Sequence, residues 1–486
     1  MLALLGANAV QAGANFDEGV YLQAVGLFAE GRLPYDDFVL VHPPGALLLG
    51  WPLAVLAHPA LGWDGVLTLG RCTGVLVGVA NVFLVAAVTS RWRGRAAGLV
   101  AAALYASFVP AVAVESHYLL EPFVNLFVLS GALLWLGPRE PSTTRAVGAG
   151  AVFGLATLVK LTGGLALVAV LASGWSWRLR CIACGAAALL WFGVTLPFGL
   201  VAGGGRLFDL LIRVQLTRPG GDVAGGSIDG IVARLGATMR FGLLGPESAP
   251  VTLRVAAAGV VVVIVGCSLL AGGRQGRFWG AWVAASWLLI LRSPDFYEQY
   301  PVPLGSGIAV LGGATAAAVT QRLRGSTRRG VAAAVATVSA LGLMTAVAHA
   351  YRGRSTSPVD VKALVAEKVP PGECLFSTKP ALALAAGRLL QPDRSGTVLV
   401  DPFGGLLTEA LADASPSTTL VALRSAPAQR RIRQALDACP WVLLGSVPEL
   451  EPGFSEATTT SFRGHYALAG GSRQGPGLWH RIHPAP

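Results

Sequence analysis

Val159-Lys160-Leu161-Thr162-Gly163-Gly164 lies in the middle of an apolar run, 146–174, with arginine on both flanks: Arg145 before it, Arg178 and Arg180 after. How this run crosses a membrane decides the fold. A single crossing would put the two basic flanks on opposite faces and every later arginine cluster on the wrong side. An even number of crossings is required, so the run reads as a hairpin turning at Lys160. Each arm then has about 14 residues and reaches roughly 21 Å, short of the about 30 Å hydrocarbon core. Lys160 therefore sits below the outer surface, inside a cavity. An ionisable group there is costly and is a functional candidate by default.

Working outward, further apolar spans read at 64–90, 96–114, 119–137, 181–203, 251–272, 278–291, 300–320 and 330–350. Arginine clusters separate them: Arg91, Arg93 and Arg95; Arg139 and Arg145; Arg178 and Arg180; Arg274 and Arg277; Arg322, Arg324, Arg328 and Arg329. Glu140 is the single acid among them, so all five loops read as cytoplasmic and the intervening loops as outward. The expected fold is a polytopic α-helical membrane protein of about 11 spans. Composition agrees: charged residues are 13% of the chain, about half the usual share of a soluble domain. The net charge of +11 follows from membrane topology and does not indicate nucleic-acid binding. Arg in place of Lys, with abundant Ala, Gly and Val, suggests a high-GC bacterial genome, and the expected location of this multi-pass chain is then the bacterial plasma membrane.

Residues 1–13 are apolar but too short to span, and read as the end of a first transmembrane helix. The outer loop 13–63 follows, and within it Ala46 to Ala57 reads as an interfacial or re-entrant helix. After Tyr351 the pattern changes. Short β-like runs (Cys374–Ser377, Thr397–Asp401, Trp441–Gly445, Tyr466–Gly470 and Gly477–Arg481) alternate with helix-like segments at 404–413 and 425–438. The expected division is a membrane domain, 1–351, and a small extracytoplasmic α/β domain, 352–486. Cys181-x-x-Cys184 opens an apolar helix without a second ligand pair and reads as packing. Cys374 and Cys439 are free to pair if their domain is outside the cell.

The outer loops gather the ionisable groups. Asp17, Glu18 and His42 lie in the first, Glu115 and Glu121 in the second, and Arg213 and Arg218 in the long loop 204–250. Tyr297 and Gln299 lie in the last. Carboxylates beside cations suit proton abstraction from a hydroxyl with stabilisation of an anionic leaving group. Arginine matches phosphate through its bidentate fork. Asp17, Glu18 and His42 are also possible ligands of a divalent cation, although no spacing demands one.

Asp17-Glu18 with Tyr21, Val41-His42-Pro43-Pro44-Gly45, Gly154 to Gly163, and Tyr297-Glu298-Gln299-Tyr300-Pro301-Val302-Pro303-Leu304 occur in one order, all on the outer face. Over 1–350 this set resembles the polyprenyl-phosphate-sugar-dependent glycosyltransferases of the GT-C superfamily. That superfamily includes protein mannosyltransferases and lipid A aminoarabinose transferases. The resemblance implies inverting transfer of a sugar from a polyprenyl-phosphate donor to an acceptor glycan, glycolipid or protein. By that resemblance Asp17 is the general base or the carboxylate that orients the acceptor, with Glu18 beside it. Arg213, Arg218, Lys160 and His42 become candidates for the donor phosphate, and Glu115, Glu121, Tyr297 and Gln299 for sugar or acceptor. Some relatives carry Lys at the position of His42 and a basic residue near Gln299, so these two positions depart from the pattern. Two other classes fit the composition. A transporter would show repeat symmetry, which is absent here; a lipid-binding assembly protein would need no acidic first-loop motif.

Overall fold

The computed structural model describes residues 15–137, 139–220, 227–244, 249–323 and 360–483 apart from 414, 452, 473 and 474, together with Leu5, Gly6, Ala9, Gly13, Leu341 and Met344. The expected span 330–350 and Arg324, Arg328 and Arg329 lie outside the described residues, save Leu341 and Met344, as does most of 1–13. In chain order the main helices are α1 (Phe16–Ala29), α2 (Gly45–Arg93), α3 (Arg95–Ala106), α4 (Leu120–Trp135), α5 (Thr143–Val159), α6 (Leu165–Ala172) and α7 (Trp177–Ala202). Then come α8 (Val251–Ala271), α9 (Gly273–Arg292), α10 (Pro301–Arg322), α11 (Val361–Lys368), α12 (Pro380–Ala385), α13 (Pro402–Asp413), α14 (Ala426–Ala438) and α15 (Glu456–His465). Among the described residues, α2, α7, α8 and α10 are long and apolar enough to cross a membrane.

The chain divides into two units. One holds Met1–Gln11, Cys72–Gly193 and Ala224–Arg354. The other joins Ala12–Arg71 and Val194–Val223 to Ser355–Pro486.

In the first unit α4 and α5 run antiparallel. Arg145 donates to the Leu134 carbonyl (2.8 Å) near one end, and Lys160 meets Glu121 at the other (2.5 Å). At Lys160 the backbone becomes extended (φ −151°, ψ 134°). A 3-10 turn, Leu161–Gly164, follows, with Gly163 packed against the Ala156 carbonyl, where a Cβ would not fit. The chain then returns along α6 until the Ser173 hydroxyl receives the Trp135 indole N–H (3.0 Å), beside the α5 start. This is the hairpin that the paired basic flanks require. Its arms are unequal, α5 having 17 residues and α6 only 8.

The second unit holds a four-stranded sheet: β1 (Leu375–Ser377), β2 (Trp441–Leu444), β3 (Tyr466–Gly471) and β4 (Gly477–Arg481), in the order β1-β2-β4-β3. β1 and β2 are parallel; β2 with β4 and β3 with β4 are antiparallel. Phe376, Val442, Ile432, Leu436, Phe462 and Trp479 contribute to the core between the sheet and its helices. Cys374 and Cys439 form a disulfide. The expected strand Thr397–Asp401 is not one. Val398 instead makes an isolated parallel bridge to Phe38, its N–H donating to the Asp37 carbonyl (2.8 Å). The backbone groups that would have joined the sheet are used by the first loop.

Helix α2 starts where 46–57 was expected to be helical. It is interrupted at Gly62, whose φ of 70° no side chain adopts readily. The segment before the break, which contains Pro52 and Pro59, exposes Leu48, Trp51, Val55, Leu56 and Leu61.

Candidate active site

The candidate residues fall into two groups, one in each unit. In the second unit, Asn15 caps α1, its side chain accepting from the Glu18 N–H (3.1 Å). Asp17 and Glu18 therefore occupy the first helical turn, where the dipole favours negative charge. The two acids differ. Glu18 is fully buried and clamped by Arg71, whose Nε lies 3.0 Å and Nη2 2.9 Å from the same carboxylate oxygen, Oε2. Asp17 is half-buried. His42 Nε2 lies 3.2 Å from the Tyr21 hydroxyl, and the Tyr35 hydroxyl donates to the His42 carbonyl (2.8 Å). Tyr35 has a φ of 72°, rare for a side chain of that size, so the turn before His42 is held under strain.

The two candidate arginines also differ. Arg213 is about two-fifths exposed, pairs with Asp209 one turn back (3.2 Å) and donates to the Leu411 carbonyl (2.7 Å). Arg218 lies over the Phe403 ring, 4.8 Å from its centroid. Beside it is the buried Asp401, whose side chain caps α13 through the Gly404 N–H (2.8 Å). Burial raises the Asp401 pKa, while the Gly404 N–H and the positive charge of Arg218 oppose that rise.

In the first unit, Lys160 forms its ion pair with Glu121 at 12% and 3% side-chain exposure. Its ammonium also sits over the Tyr300 ring, 4.9 Å from the centroid. Tyr300 packs edge-on to Tyr297 (5.4 Å), so the last outer segment contributes aromatics to the lysine, with Gln299 between them in sequence. Arg234, itself buried, donates to the carbonyls of Ile290, Ser293 and Pro294 and fixes the start of that segment.

Glu115 is fully buried in a different network. Oε1 accepts from the Tyr105 hydroxyl (2.6 Å) and from the Asn81 amide (2.7 Å). Asn125 donates to the same hydroxyl (2.7 Å), and Ser306 donates to Asn125 (3.0 Å). No cation joins this network among the described residues. Burial raises the Glu115 pKa to about 8, against smaller lowering effects of the Tyr105 and Asn81 hydrogen bonds.

Sequence reasoning missed Asn81, Tyr105, Asn125, Gln23 and Asp401. The first three were visible as lone polar groups within or beside apolar runs, which normally face a protein interior. Among the described residues, no three His, Cys, Asp or Glu side chains cluster as a ready cation site. Glu18 is engaged by Arg71, and His42 by Tyr21.

No protein-family model matches the chain, and no curated protein matches it in sequence. Its fold does have solved counterparts. ArnT from Cupriavidus metallidurans bound to undecaprenyl phosphate superposes with a TM-score of 0.63 at 14% identity, covering 99% of this chain and 97% of that one. The apo form of the same protein gives 0.63 at 16% identity, covering 100% and 98%. The Archaeoglobus fulgidus oligosaccharyltransferase tethered to an acceptor peptide gives 0.56 at 13% identity, covering 96% of this chain and 72% of that one. The chain thus shares, over nearly its whole length, the fold of ArnT and of the archaeal oligosaccharyltransferase.

Proposed function

We propose that the protein is an integral membrane glycosyltransferase of a bacterial plasma membrane, moving a sugar from a polyprenyl-phosphate donor to an acceptor on the extracytoplasmic face. The observation that carries this reading is the inequality of two adjacent acids at the start of α1. Glu18 is held by Arg71 and is an anchor; Asp17, half-buried in the same turn, is the general base. The ArnT fold solved with undecaprenyl phosphate supports the choice of donor class.

In the proposed reaction, Asp17 takes the proton of the acceptor hydroxyl as its oxygen attacks the anomeric carbon. The bond from that carbon to the phosphate oxygen breaks on the opposite face, its electron pair leaves with the phosphate, and the anomeric configuration inverts. The phosphate gains charge as the bond breaks, so a cation aimed at it stabilises the transition state more than the ground state. Arg218 is the first candidate in its unit and Lys160 in the other. Tyr297, Gln299 and Glu121 remain candidates for sugar or acceptor, whereas we assign Glu115 to holding its loop.

The test works whichever sugar is moved. A strain lacking the protein should accumulate one polyprenyl-phosphate-linked sugar, read by mass spectrometry of its lipid extract. Membranes from that strain contain both donor and unmodified acceptor, so adding purified protein should consume the pool. Asp17→Asn should slow consumption by about 10²–10⁴-fold. A strain whose polyprenyl-phosphate sugars match wild type would overturn the reading, and a transporter or lipid-binding role would take its place.

A further inference from the structure

Helix α1 presents Asp17 from one face and is docked by the opposite one. At about 100° per residue, Gly19, Gln23 and Gly26 fall within about 60° of each other, and Asp17 lies about 160° from Gly19. That stripe lies on the segment 380–390 of the C-terminal region. Gly19 meets the Ala381 backbone so closely that a Cβ there would overlap it. A Cβ on Gly26 would stand 2.7 Å from Leu389 Cδ2 and 3.0 Å from the Trp63 ring. Between the two glycines Gln23 is fully buried, and its amide is used on both sides. Nε2 donates to the Pro380 carbonyl (3.3 Å) and the Arg388 carbonyl (3.0 Å), while Oε1 accepts from the Leu390 N–H (3.0 Å).

A glutamine is not needed to fill this space; an apolar side chain would. What Gln23 adds is direction. Three backbone groups of 380–390 meet one amide, which fixes the rotation and height of α1 on that segment. Rotation of α1 about its axis would swing Asp17 on the far side.

We propose that Gln23 is a positioning residue for the transfer reaction, and that the C-terminal region, through 380–390, aims the Asp17 carboxylate. The proposal rests on the reading of Asp17 as the base. The C-terminal region is then part of the reaction apparatus and not an accessory to it.

The experiment is a double-mutant cycle in membranes of the deletion strain, following consumption of their accumulated polyprenyl-phosphate sugar by the full-length protein. Gln23→Met keeps the volume and loses the three hydrogen bonds; it should lower turnover at least 10-fold with no change in the donor concentration giving half-maximal rate. Placed on Asp17→Asn, the same substitution should cost less than 2-fold, because there is no base left to misplace. A wild-type rate for Gln23→Met overturns the proposal, as does the full 10-fold loss repeated on Asp17→Asn. Should Gln23→Met fail to accumulate, Gln23→Leu, also apolar and lacking the same three hydrogen bonds, takes its place in the same cycle with the same criteria. A wild-type rate for Asp17→Asn alone overturns the base assignment and this proposal with it. That failure is recognised because it occurs in the single variant, before any coupling is measured.

Discussion

Lys160 and Glu121 form a 2.5 Å ion pair at the point where the α5–α6 hairpin turns back. The intramembrane lysine is thus half of a pair, with the Tyr300 ring beneath it. Its structural and functional roles are therefore separable. Removing one partner leaves a buried charge and costs about 3–5 kcal/mol, whereas removing both and filling the space costs little.

Lys160→Met and Glu121→Gln should each lower the thermal unfolding temperature of the purified protein, and the double variant Lys160→Met/Glu121→Leu should recover most of it. On the reading that Lys160 also meets the donor phosphate, the double variant stays slow despite its regained stability. Full turnover in that stable double variant would confine the lysine to a structural role.

Arg218→Ala should reduce turnover at saturating donor more than Arg213→Ala does. Arg213 is about two-fifths exposed and its pair with Asp209 is worth about 0–1 kcal/mol. Arg218→Lys should restore only part of the rate, because an ammonium lacks the bidentate fork. Equal and small effects from both alanine variants would move the phosphate contact to His42, Arg71 or Lys160.

The Glu115 network predicts a pH effect on stability. Its carboxyl titrates at about 8 when folded, against 4.5 when exposed. The folded state therefore binds the extra proton, and this contribution is intact below the unfolded value and lost as pH rises through the folded one. Thermal unfolding measured from about pH 5 to pH 9 should show wild type losing stability relative to Glu115→Gln as pH increases. Parallel curves for the two proteins would mean that Glu115 is ionised in the fold.

Topology can be mapped by single cysteines in a background without the free thiols Cys72, Cys181, Cys184 and Cys267. Cysteines at Arg93 and Arg178 should react only from the cytoplasmic side, and those at Asp17, Arg218 and Lys362 only from outside. Labelling of position 362 from the cytoplasm would reverse the proposed orientation.

The hairpin at Lys160 was legible in the sequence because positive flanks constrain parity even where apolar length is ambiguous. The acidic motif was legible because so few acids remain elsewhere. The partners of those residues were not. Glu121 and Lys160 are 39 positions apart, and Gln23 is more than 350 positions from the carbonyls it meets. Nothing in local periodicity encodes such pairings. Thr397–Asp401 illustrates the same limit: its composition suits a strand, but its backbone is used by Asp37 rather than by the sheet.

The Cys374–Cys439 disulfide spans 65 residues of chain and encloses the segment 380–390 on which α1 docks. Closing a loop of that size restricts the unfolded chain by about 4 kcal/mol. On the proposed orientation the two thiols meet an oxidising compartment only after export. A cell short of thiol-oxidising capacity would then carry full-length, correctly inserted chains whose acidic motif rests on a loosened support. Oxidative maturation, and not the rate of synthesis, would set how much working enzyme its envelope contains.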